Sequence, residues 1–165
     1  SLMAKNKEEK TNVMRVLEQK KIAYTAHTYP HEEGIAVDGV TVAKSMGFDP
    51  AIVFKTLVAR GASKQYYVFD VPVAENLDLK KAAKAVGEKS IEMIHQKELL
   101  PLTGYVHGGC SPVGMKKLFP TVFHSSAENL AAMIVSAGKI GYQVELAPHD
   151  LAALVRAKFA DIIVE

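Results

Sequence analysis

At 165 residues, 48% of them apolar and only 7 of them proline, the chain is long enough to bury a core and is not of disordered composition. The 20 Lys+Arg against 18 Asp+Glu exclude a heavily basic nucleic-acid clamp, so any nucleic-acid partner would be touched lightly or held with help from another protein. One cysteine excludes an internal disulfide, in keeping with a reducing cytoplasm, and no apolar run approaches the ~20 residues that span a bilayer.

Ser1–Lys10 is polar, lacks the apolar centre of a secretory signal, and reads as a disordered or tag-derived segment with Ser1-Leu2 ahead of Met3. Residues 11–165 read as one domain. Thr11 is placed to cap a helix carrying Val13, Val16 and Leu17 on one face and ending near Lys20. Ile22 to Tyr29 alternates as a strand, and Tyr29-Pro30-His31-Glu32-Glu33-Gly34 is a loop set by proline and glycine. A helix through Val40, Val42, Ala43 and Met46 closes at Gly47, and Asp49-Pro50 opens one further turn.

Val53–Arg60 and Gln65–Pro72 flank Gly61-Ala62-Ser63 as a β-hairpin. Leu79, Ala82, Ala83 and Val86 mark a helix that starts at Asp78 and stops at Gly87, with Lys80, Lys81 and Lys84 as a solvated face or a phosphate contact. Ser90–Met93 is a brief strand, and His95–Leu100 a helical turn ended by Pro101. Three strands follow at Thr121–His124, Ala132–Ser136 and Tyr142–Leu146, then a helix over Asp150–Phe159. Strands and helices without strict βαβ alternation predict an α+β fold.

Two stretches carry candidate chemistry. Val53-Phe54-Lys55-Thr56-Leu57 sets a lysine in an apolar strand. Partial desolvation there would depress its pKa, and the plain alternative is an edge-strand lysine whose ammonium reaches water. Tyr105-Val106-His107-Gly108-Gly109-Cys110-Ser111-Pro112 interrupts apolar chain with glycines that let backbone amides approach an anion or an oxyanion; it can equally be a tight turn. Cys110 reads as a small buried hydrophobe rather than a nucleophile, because no motif supplies it with a base. His27 and His31 straddle a strand end and a proline, which breaks the helical i, i+4 geometry of a zinc clamp. No metal and no cofactor is expected.

Lys55 in its Val-Phe-Lys-Thr-Leu setting, Leu77-Asp78-Leu79-Lys80-Lys81, Gly108-Gly109-Cys110-Ser111-Pro112 and Val135-Ser136-Ala137-Gly138-Lys139 occur in the order seen in the YbaK/EbsC family. That family of Cys-tRNA(Pro) deacylases is related to the editing domain inserted in bacterial prolyl-tRNA synthetases, and the resemblance runs from about Lys10 to Asp161. It implies a single α+β domain with a central mixed, partly barrel-like β-sheet surrounded by helices. The implied activity is cytoplasmic trans-editing of mischarged Cys-tRNA(Pro), in which the substrate's own thiol attacks its ester. Lys55 would orient the tRNA end or the ester as a point charge, and Gly108 and Gly109 would offer amides to the oxyanion. Tyr29, Ser111, Ser136 and Gly138 would line the pocket for the aminoacyl-tRNA 3′ end, with prolyl-tRNA synthetase as a partner. The sequence departs from the family's pattern at Gln143, where an acidic residue is common; glutamine hydrogen-bonds but cannot act as a base. Two other readings stand beside this one: a deacylase for another residue such as alanine with water attacking, or a non-catalytic module that binds tRNA or a synthetase.

Overall fold

The computed structural model describes residues 10–165, so the expectation for the N-terminal segment falls outside the described residues except at Lys10. Among the described residues five α-helices and eight strands follow one another. Helix α1 is Asn12–Gln19, capped by the Thr11 side chain, which accepts from the Met14 N–H; Val13, Met14 and Leu17 are buried. Strand β1 is Thr25–Thr28, and α2 is Gly39–Met46, capped by Asp38 and closed by Gly47 in the left-handed conformation. A 3₁₀ turn at Pro50–Ile52 leads into β2 (Phe54–Gly61), which pairs with β3 (Tyr66–Pro72).

Helix α3 (Leu79–Val86) has Asp78 and Gly87 as its caps, followed by β4 (Ile91–Met93) and α4 (Gln96–Thr103). Strands β5 (Thr121–His124), β6 (Met133–Ser136) and β7 (Tyr142–Leu146) precede α5 (Pro148–Val155) and β8 (Lys158–Ala160).

The α+β architecture holds, with its strands in two sheets. One is three-stranded in the order β1-β7-β6, all antiparallel. The other is five-stranded in the order β4-β2-β3-β5-β8; β4, β2 and β3 pair antiparallel, while β3-β5 and β5-β8 are parallel. A parallel bridge from Val53 to Ile134 joins the two where β2 begins. Strand β3 buries apolar residues on both faces. Phe69 and Val71 pack with Ala82 and Ala83 of α3, while Val68 packs with Val58, Leu99, Cys110 and Phe119. A separate core of Phe54, Phe123, Val135 and Val144 is shared by strands of both sheets and closed by α1 and α5.

Two expectations differ from the structure. Helix α4 continues through Pro101 to Thr103 instead of stopping at Leu100. Glu98 accepts from the His95 N–H, Gly104 closes the C-terminus, and the Pro101 carbonyl accepts from Lys116 Nζ, so the helix end is supported on both sides of the proline. The last helix ends at Val155, not Phe159. Arg156 takes a positive φ of 57° without being glycine, and the chain turns into β8 beside β5.

Candidate active site

A cavity of about 300 Å³ opens where the two sheets meet. Val53 and the first residues of β2, Phe54 to Leu57, form one wall; Ser136 and Gln143 come from the other sheet. Tyr29, at the end of β1, and Asp38, Gly39 and Val42, at the start of α2, close a third side. His107, Gly108 and Cys110 cover it from the loop after α4. The volume suits a small amino-acid group, with the rest of a large substrate left outside.

Lys55 sits at the entry to β2, in register with Val71. Burial holds its ammonium below the ordinary lysine value, partly offset by the negative charge of Glu75. It makes no salt bridge among the described residues, so its charge is not already neutralised at contact distance.

Of the residues singled out in the sequence, Lys55, Gly108, Tyr29 and Ser136 line this cavity together, and Gly109, Ser111 and Gly138 do not. Gly109 donates its N–H to the Val106 carbonyl at 3.0 Å, closing the turn, so that amide is spent. A Cβ there would stand 3.1 Å from the Ile140 nitrogen, so the loop lies close on the chain at Lys139–Ile140. Ser111 is fully buried, and its Oγ accepts from the Val113 N–H: it is a turn residue. Gly138 donates to Ser136 Oγ at 3.1 Å, which fixes that hydroxyl oxygen at the cavity wall while leaving its proton free to donate.

Gly108 has φ 89°, and a Cβ on it would lie 2.7 Å from Ala36 Cβ, so only glycine lets the loop approach this closely. The amides of Gly108 and Cys110 have no acceptor among the described residues. Cys110 also lines the cavity. The residue is 8% exposed, and burial, with the Asp70 charge adding to it, pushes its thiol up to about 12. A thiol so disfavoured as thiolate is a poor nucleophile.

His27 holds Glu145 at 2.7 Å and His31 Nδ1 lies 3.1 Å from the Tyr29 carbonyl. Among the described residues no three His, Cys, Asp or Glu side chains converge as metal ligands. Gln143, at 6% exposure, has an Oε1 without a partner among the described residues. Sequence reasoning missed Thr56, His107 and Asp38 as cavity residues, and it missed Asp70, whose carboxyl is fully buried beneath Thr56. The signal available for Asp70 was a lone carboxylate in the apolar run Tyr66–Pro72.

A model of the aminoacyl-tRNA editing domain matches residues 36–154. The chain belongs to the aminoacyl-tRNA editing family. Over 161 residues it is 46% identical to a protein of Enterococcus faecalis assigned as a Cys-tRNA(Pro)/Cys-tRNA(Cys) deacylase, EbsC, covering 97% of this chain and 98% of that one. The fold matches that of a crystal structure described as a trans-editing enzyme for prolyl tRNA synthetase, with TM-score 0.78 and 24% identity over 93% of this chain and 95% of that one. It also matches a hypothetical protein, APE2540, with TM-score 0.81 and 18% identity over 92% of this chain and 99% of that one. No helix among the described residues is long and apolar enough to cross a membrane.

Proposed function

We propose that this protein is a cytoplasmic trans-editing deacylase acting on Cys-tRNA(Pro), with the substrate's thiol as the attacking group. The observation that carries this reading is a cavity lined by an unpaired lysine and by Gly108 and Cys110, whose amides have no acceptor among the described residues, with neither its thiol nor the Ser136 hydroxyl held by a base. Its one thiol is held in the neutral form, and the Ser136 hydroxyl, which accepts from Gly138, donates to no base among the described residues. The protein's contribution is then orientation and electrostatic stabilisation.

The cysteinyl sulfur attacks its own ester carbonyl, forming the C–S bond of a four-membered thiolactone and an oxyanion held by the Gly108 and Cys110 amides. Collapse breaks the bond to the ribose oxygen, which takes a proton equivalent to the one the thiol released; tRNA and cysteine thiolactone leave. Lys55 anchors the terminal phosphate or the ester and favours the developing negative charge. Tyr29 and Ser136 border the aminoacyl group. A small cavity serves selectivity, because a synthetase site cannot strongly reject a near-isosteric amino acid and a second site must. The near-even net charge fits a tRNA held jointly with a partner, for which prolyl-tRNA synthetase is the candidate.

Product analysis tests the chemistry. Cys-tRNA(Pro) should yield a trappable thiolactone, and the serine ester, lacking the thiol, should be cleared far more slowly. Equal rates on both, with the free amino acid as first product, would assign the attack to water and favour the alternative of a general small-residue deacylase.

A further inference from the structure

Asp70 stands in the middle of β3, directly opposite Thr56 of β2 and beside Phe123 of β5. It is fully buried. Thr56 donates its hydroxyl to Asp70 Oδ1 at 2.5 Å, while Asp70 Oδ2 has no partner among the described residues. Thr56 itself lines the cavity, next in sequence to Lys55, and the Asp70 charge is felt by the Cys110 thiol of the loop after α4. A carboxyl is an expensive way to fill this space, since a buried, half-satisfied acid costs more than an apolar side chain of its size.

We propose that Asp70 is a positioning residue of the deacylase site: it fixes the direction of the Thr56 hydroxyl, so that Thr56 presents its oxygen lone pairs to the cavity and accepts from the α-ammonium of the aminoacyl group. An ionised Asp70 can only accept, so Thr56 must donate inward and is left as an acceptor toward the substrate. A protonated Asp70 can donate to Thr56, which turns the hydroxyl proton outward and presents the ammonium with the wrong polarity. The group has access to both states, because burial pushes it up to about 7, with the Thr56 hydrogen bond opposing. The polar side chain acting on Asp70 among the described residues is the Thr56 hydroxyl, and the Cys110 thiol, which feels the Asp70 charge, stays neutral across this range. The proposal rests on the cavity being the deacylation site.

The test is single-turnover deacylation of Cys-tRNA(Pro) from pH 5.5 to 8.5 by the full chain and by Asp70→Asn, Thr56→Val, Thr56→Ser and the Asp70→Asn/Thr56→Val pair, with Lys55→Ala as the site control. Thr56→Val should lose about tenfold, the scale of one hydrogen bond to a charged group, while Thr56→Ser keeps most of the rate. Asp70→Asn should remove an inflection near neutrality that wild type and Thr56→Ser retain. The pair should be no slower than Thr56→Val alone, because the carboxyl acts through the hydroxyl. A profile unchanged by Asp70→Asn, or losses that add in the pair, would overturn the proposal. If Asp70→Asn does not fold, retention of the inflection by Thr56→Val would overturn it by itself, and loss of the inflection there would support it. Wild-type rates in Lys55→Ala would instead refute the site, whatever the Asp70 variants do.

Discussion

Replacing Lys55 by alanine should abolish most deacylation without unfolding the protein. The ammonium is half-buried, its charge is disfavoured by desolvation, and it makes no salt bridge among the described residues. It therefore adds little to folding and is placed to act on something that is not protein. A charge held ready in a cavity and facing a developing anion is worth on the order of 3 kcal/mol in the transition state, or about 150-fold in rate. Thermal unfolding of Lys55→Met, which keeps the apolar stem, should occur at the wild-type temperature or slightly above it. Lys55→Arg keeps the charge in a longer, planar group and should recover only part of the rate. The assay is single-turnover deacylation of Cys-tRNA(Pro), with folding followed by circular dichroism. Near-wild-type rates in a folded Lys55→Ala protein would refute the reasoning, and a borohydride-trapped adduct on Lys55 would replace orientation by covalent catalysis.

Cys110→Ala should stay within a few-fold of wild type, since its thiol is held neutral by burial; a hundredfold loss in the same assay would restore it as a nucleophile. Gly108→Ala must place a Cβ at φ 89° against Ala36, so it should cost on the order of 1–3 kcal/mol by denaturant unfolding and most of the deacylation rate. Asp70 has a native pKa of about 7, well above its unfolded value, so the native state holds a proton that the unfolded state loses between ~4 and ~7. That stabilising term is present at low pH and lost as pH rises, so Asp70→Asn should match wild type near pH 4 and exceed it near pH 8. Its ceiling is on the order of 4 kcal/mol, and urea unfolding at the two pH values reads it.

Much of the fold was legible because local chemistry decided it. Thr11, Asp38, Asp49 and Asp78 each accept from an amide at a helix start, and Gly47 and Gly87 supply left-handed ends. The hairpin of β2 and β3 follows from its two apolar runs and short turn. The rest depended on distant partners. Lys158–Ala160 has no local mark of a strand and becomes one by lying parallel to β5, after a turn at Arg156 that no glycine announced. The site divides in the same way. Lys55, Tyr29, Gly108 and Ser136 were legible in the sequence, and they meet only because the two sheets join at Val53. Gly109, Ser111 and Gly138 sit in the same motifs but spend their polar groups on the turns themselves. Asp70 could not be read as a site residue without knowing that Thr56 lies opposite it.

The account stands most directly on turnover. Purified protein should deacylate Cys-tRNA(Pro) catalytically, clear Ala-tRNA(Pro) and Ser-tRNA(Pro) far more slowly, and spare Pro-tRNA(Pro). Binding of all four without loss of any ester bond would contradict it and leave a tRNA-binding module with an idle cavity.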